Sequence, residues 1–128
     1  MILLVDTHLL LLAAGERRRL SARARQLLDD ETVQVWFSAA SIWEIAIKHA
    51  RRPKEFLVEP RRLRRGLLEN GWRELPVTSE HAIAGADLPP IHKDPFDRML
   101  VAQANAEGAT LVTTDDIVAR YPGSITKV

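Results

Sequence analysis

Four carboxylates, Asp6, Glu44, Asp97 and Asp115, occupy positions from which chemistry can be done. Asp6 follows the apolar run Ile2–Val5, and Asp115 follows the apolar run 110–112. Glu44 and Asp97 lie in the first turn of helical patterns opened by Ser41 and Asp94. In a parallel α/β sheet, strand carboxyl ends and the helix starts that follow them share one edge, where ligands bind. Acids from four distant segments can therefore meet there. Such a cluster repels itself, and helix N-termini offset only part of that repulsion, so a divalent cation is the expected partner. All-oxygen donors point to Mg²⁺ or Mn²⁺ rather than zinc. Thr7, Ser41, Thr113 and Thr114 stand beside the acids and can orient carboxylates or water.

Each acid also has a purely structural reading. Asp6 and Asp115 are good N-cap types. Ser41-Ile42-Trp43-Glu44 matches a capping box, with Glu44 at the third helical position. Asp97 is less easily explained as a cap, because Asp94 already fills that role ahead of Pro95. Asp116, next to Asp115, is expected to face solvent. The four histidines, His8, His49, His81 and His92, show no i, i+4 pair of the kind that binds zinc on a helix, and are assigned structural or surface roles.

The elements that must position the acids follow from periodicity and punctuation. Strands are expected at residues 2–5, 33–37, 74–77, 110–112 and 124–128. Helical patterns are expected at 8–14, 21–30, 41–49, 60–68, 79–86 and 94–107, with a short helix after Asp115. Residues 51–60, basic and broken by two prolines, read as a loop or lid. Strands alternating with helices predict a three-layer α/β fold with a mainly parallel central sheet, in one domain over residues 1–128. The chain has 46% hydrophobic residues, enough for a real core.

Cysteine is absent, which excludes disulfides and thiolate metal sites. No Walker A, G-x-G-x-x-G or G-x-S-x-G pattern occurs, which argues against a P-loop, a dinucleotide site and a serine-hydrolase elbow. The apolar start MILLV lacks a basic n-region and is interrupted by Asp6, and no stretch approaches the ~20 apolar residues of a membrane span, so a cytoplasmic location is expected. The net charge of +1 is unevenly spread: residues 48–65 hold eight bases and two acids. A basic strip beside an acidic remainder suits a phosphodiester enzyme, with bases for the polyanion and acids for the metal; the plainer reading is a solvated helix face.

The segments LVDTHLLLLA, SAASIWEIAIK, LPPIHKDPFDRMLVAQA and TLVTTDDIVARYP resemble PIN-domain ribonucleases, in particular the VapC-type toxins of toxin–antitoxin pairs. The resemblance runs in order from residue 2 to about 122. It places the family's acidic quartet on Asp6, Glu44, Asp97 and Asp115. It implies Mg²⁺- or Mn²⁺-dependent cleavage of RNA, a homodimer and a cognate antitoxin that blocks the site. By this reading Asp6, Asp97 and Asp115 bind the metal, Glu44 completes the cluster directly or through water, and a metal-activated water attacks the phosphate. Arg98 matches the arginine after the subgroup's catalytic aspartate, and is expected to pair with a nearby acid or to steady a phosphate. The chain departs from many relatives in lacking tryptophan near Leu11 and Leu12 and in carrying Arg51-Arg52-Pro53-Lys54-Glu55-Phe56 where a glycine turn is common.

Two rivals remain beside this reading. One is a non-catalytic RNA- or protein-binding α/β module whose acids only cap helices. The other is a phosphatase or phospho-acceptor domain. Receiver domains place an acid pair near the first strand, and dehalogenase-type phosphatases carry D-x-D there, whereas the residue two past Asp6 is His8.

Overall fold

The computed structural model describes residues 1–128. Strands β1 (Ile2–Val5), β2 (Gln34–Ser38), β3 (Arg73–Leu75), β4 (Thr110–Thr113) and β5 (Ile125–Lys127) form one sheet in the order β3-β2-β1-β4-β5. Every neighbouring pair is parallel. The chain works outward from β1 to β3 on one side, then crosses to the other side for β4 and β5. The strand order therefore reverses between β1 and β4, which makes the crevice beyond their carboxyl ends the topological switch point.

Helices α1 (Thr7–Gly15), α2 (Ala22–Leu28), α3 (Ala39–Arg51), α4 (Pro60–Glu69), α5 (Ser79–Asp87) and α6 (Pro95–Glu107) cover the sheet. Alternation along the strands divides the core in two. Leu3 and Val5 of β1 and Val112 of β4 join Leu9, Leu10, Ile45, Leu63 and Leu67 from α1, α3 and α4. Leu4 and Leu111 point to the other face, onto Leu100, Val101 and Ala104 of α6 and onto Tyr121. The result is the expected three-layer α/β arrangement with a wholly parallel sheet.

Local signals explain most boundaries. Ser21 caps α2 by accepting from Ala24 N–H at 3.1 Å. Glu59 and Pro60 open α4, the Glu59 carboxylate accepting from Arg61 and Arg62 N–H. Asp94 caps α6, Pro95 occupies its first position, and Gly108 closes it at φ +66°, a conformation natural to glycine. The region expected as a loop or lid is loop but not a free lid, since Phe56 and Val58 pack against the core. The helix expected after Asp115 is a single 3₁₀ turn over Val118–Arg120.

One expectation is corrected at α3. The helix begins two residues before Ser41, and its N-cap is Ser38, whose hydroxyl accepts from Ala40 N–H at 3.0 Å. Strand β2 runs straight into the helix with no loop between them. Glu44 consequently lies in the second turn rather than the first. Ser41, freed from capping, is buried and accepts a hydrogen bond from the Thr7 hydroxyl at 3.0 Å.

Gln103 of α6 ties the two halves of this scaffold together. It is fully buried, accepts from the Ser38 hydroxyl at the β2–α3 junction, and donates to Pro76 O at 3.3 Å. Gln103→Leu keeps the bulk and leaves the buried Ser38 hydroxyl proton without an acceptor and the Pro76 carbonyl without this donor. It should destabilise the fold by about 1–3 kcal/mol, read as a lower midpoint in urea. An unchanged midpoint would contradict the coupling of α6 to the start of α3.

Candidate active site

The four acids arrive at the switch-point edge from four elements. Asp6 follows β1, Asp115 follows β4, Glu44 projects from α3 and Asp97 from the first turn of α6. They are held very differently.

Asp6 is the most constrained, at 6% exposure. One oxygen accepts from Leu9 N–H at 2.9 Å, capping α1, and the other accepts from the Thr113 hydroxyl. The same hydroxyl accepts from Asp115 N–H at 3.0 Å. Thr113 thus links the two strand-end acids. Burial pushes the Asp6 carboxyl above its ordinary range, against the lowering effect of these donors. Each carboxylate oxygen has a further lone pair, so the capping bonds do not exhaust Asp6.

Asp115 also caps, its Oδ1 accepting from Ile117 N–H at 2.7 Å and Val118 N–H at 3.2 Å. Its Oδ2 is left to the site. Glu44 is buried, and its Oε2 meets Lys48 Nζ at 2.8 Å. Asp97 accepts no hydrogen bond from a backbone amide or hydroxyl. Asp94 is the cap at this helix start, its Oδ1 accepting from Phe96 and Asp97 N–H. Asp116 is exposed and paired with Lys127, as expected of a surface acid.

Asp97 and Asp115 come together around a residue that sequence reasoning had set aside. His92 Nε2 lies 3.3 Å from Asp97 Oδ2 and 3.6 Å from Asp115 Oδ2. One donor atom from each of the three falls within 4.8 Å of the others, a spacing that can surround a cation. Asp6 and Glu44 lie outside that tight group. Glu44 still acts on it: burial raises the Asp97 carboxyl to about 6, helped by Asp94, Glu44 and Asp115 and opposed by His92. A search for helical histidine pairs could not find His92, which reaches the acids from a loop. Its position in the H-x-D-P-F-D string, five residues before Asp97, was the available signal.

Arg98 corrects a second expectation. It pairs with no acid and is not free for a phosphate. Its guanidinium donates to the carbonyls of Pro89, Gly85 and Leu88 at 2.9, 2.9 and 3.0 Å, and to the Tyr121 hydroxyl at 3.1 Å. It fastens the loop between α5 and α6.

Residues 3–124 match the PIN domain, and the chain belongs to that family. The family is one of nucleases, which sets the class as a hydrolase of phosphodiester bonds. The fold is shared with chains of VapBC2 from Rickettsia felis bound to a promoter DNA fragment, at TM-score 0.73 and 16% identity over 99% of this chain and 98% of that one. A toxin–antitoxin complex from Klebsiella pneumoniae matches at TM-score 0.70 and 18% identity over 97% and 95%. DNA-bound VapBC from Salmonella typhimurium matches at TM-score 0.70 and 16% identity over 99% and 98%. No curated protein matches the chain significantly in sequence.

The raised Asp97 carboxyl has a stability consequence. Between 3.8 and about 6 the folded state holds a proton that the unfolded chain has released, so stability of the metal-free protein falls as pH rises through that window. Asp97→Asn removes the charge. It should raise the melting temperature of the metal-free protein above pH 6, with the gain disappearing below 3.8. A gain that is equal at both ends would show that the buried charge of Asp97 is not its source.

Proposed function

We propose that the chain is a Mg²⁺- or Mn²⁺-dependent endoribonuclease, the toxin of a toxin–antitoxin pair. The observation that carries the reading is the convergence of Asp97 and Asp115 beside Glu44 at the switch point of a PIN fold, with Asp97 raised by burial and, secondarily, by its acidic neighbours. A cluster that pushes a carboxyl upward is one that a cation would relieve.

The donor set fits a hard divalent ion. Asp97 and Asp115 offer free oxygens, Asp6 offers its remaining lone pairs, and Glu44 stands behind them, tempered by Lys48. When bound, the ion supplies Lewis acidity, acidifying the attacking water and offsetting charge on the phosphate. Thr113 fixes the direction of Asp6, and the backbone amides of 117 and 118 fix Asp115. These bonds preset ligand positions before any substrate arrives. On the basic strip, Arg51, Lys54, Arg62 and Arg65 are exposed and outside any ion pair, so they are available to an RNA backbone.

Residues 1–128 would act as a single nuclease domain in the cytoplasm, as a homodimer held in check by a cognate antitoxin. The similar VapBC and toxin–antitoxin complexes support the antitoxin. A groove of about 730 Å³ between α1, α2 and α4, lined by apolar side chains such as Leu11, Leu63 and Trp72 and by the charged Arg17, Asp29 and Arg62, offers a partner chain a seat. No helix is long and apolar enough to cross a membrane.

The non-catalytic module is the second reading, and the capping bonds of Asp6 and Asp115 favour it. Metal binding separates the two. Mg²⁺ at about a hundred times its Kd should stabilise the folded chain by about 2.7 kcal/mol, and Asp97→Asn should remove most of that gain. Acids that serve only as caps would give no Mg²⁺ response. Cleavage of RNA in Mg²⁺ should be lost in Asp6→Asn, whose shape is kept. Cleavage at the unmutated rate in that variant would remove Asp6 from the site.

A further inference from the structure

The closeness of His92 to Asp97 and Asp115 invites the conclusion that its ring is a metal ligand. The other ring nitrogen argues otherwise. His92 Nδ1 accepts a hydrogen bond from Asp94 N–H at 3.0 Å. A backbone amide can only donate, so Nδ1 carries no proton. In a neutral imidazole the proton must then sit on Nε2, the atom facing the two carboxylates. A metal-ligating histidine has the opposite arrangement: its coordinating nitrogen is bare, and the remaining ring N–H is donated to a carboxylate or carbonyl.

The loop fixes this orientation from behind. His92 N–H donates to the Tyr121 hydroxyl at 2.8 Å. That hydroxyl in turn receives Arg98, which also holds three carbonyls from the end of α5 to Pro89. Tyr121 is 3% exposed, so the junction is buried. Arg98 and Tyr121 thus form a strut beneath the loop, and Asp94 reads out the ring tautomer while capping the helix that carries Asp97.

We propose that His92 is a positioning residue, a neutral ring whose Nε2–H faces Asp97 at 3.3 Å and Asp115 at 3.6 Å and steers their carboxylates, and not a metal ligand. Its place in the reaction rests on the nuclease reading above, but its tautomer does not. Asp97 accepts no hydrogen bond, so the ring beside it is what can restrain its carboxylate before an ion is bound. Arg98 and Tyr121 act through His92.

The tautomer can be read directly. Histidine-labelled ¹⁵N protein, metal-free at about pH 8, above the ordinary histidine range, should show His92 with its proton on Nε2. Titration with Mg²⁺ should leave it there. A proton on Nδ1, or its transfer to Nδ1 as Mg²⁺ binds, would overturn the proposal, as would a ring protonated on both nitrogens. This readout needs no RNA and stands even if the chain cleaves none.

Substitution gives a second readout. His92→Gln retains an N–H donor near the Nε2 position, whereas His92→Ala does not. His92→Ala should lower cleavage at saturating Mg²⁺ by about tenfold or more, a usual loss for a residue that orients ligands. His92→Gln should recover most of it, and Tyr121→Phe should lose activity without a large change in Mg²⁺ affinity. Equal weakening of Mg²⁺ binding in the glutamine and alanine variants would mark His92 as a ligand and sink the idea.

Discussion

Mutual repulsion among carboxylates is the constraint around which this molecule is organised. At an effective dielectric constant of about 20, two unit charges about 4 Å apart repel by about 4 kcal/mol. A helix N-terminus returns about 0.3–1 kcal/mol to a nearby anion. Helix starts therefore cannot hold Asp97 and Asp115 together as a charged pair, and something positive must enter. Without a metal the Asp97 carboxyl keeps its proton up to about 6, chiefly because it is buried, with Asp94, Glu44 and Asp115 adding to the effect.

The fold supplies the gathering and the hydrogen bonds distribute its strain unequally. Parallel order with a reversal between β1 and β4 brings Asp6 and Asp115 to adjacent strand ends. Both are tied to backbone amides, and Thr113 joins them. These acids have structural duties that the chain needs whether or not an ion is present. Glu44 has Lys48 as a countercharge on its own helix. Asp97 has neither cap duty nor ion pair with a full charge, so the cost of assembling the cluster collects on it.

Most of the scaffold was legible because its punctuation is local. Asp94, Pro95 and Gly108 mark both ends of α6, and Glu59 with Pro60 marks the start of α4. The start of α3 was misread because Ser41-Ile42-Trp43-Glu44 imitates a capping box, while the true cap, Ser38, is the last residue of a strand. What distinguishes them is tertiary: Ser41 is spent on Thr7, and Ser38 on Gln103, 65 residues away. Glu44 stands near Asp97 although it is not in the first turn, so the reasoning that singled it out was only partly sound. His92 and Arg98 share the same obstacle. Their partners, Asp115, Tyr121 and the carbonyls of the α5–α6 loop, are fixed by the crossover of the chain, and no periodicity records them.

The site therefore has two halves of different stiffness. Asp6 and Asp115 stand on sheet ends, with hydrogen bonds that strand and turn geometry would enforce in any case. Asp97 stands on a helix joined to the β2–α3 junction by Gln103, farther along it, and to the preceding loop by Arg98 near its start. Both of those ties are buried or half-buried polar contacts, which are strong when complete and costly when broken. The H-x-D-P-F-D-R string is then one device: His92 faces the acids, Asp94 sets the ring and caps the helix, Asp97 reaches the site, and Arg98 anchors the loop. Placing four such duties in seven consecutive residues makes the placement of Asp97 depend on a short segment rather than on the whole fold.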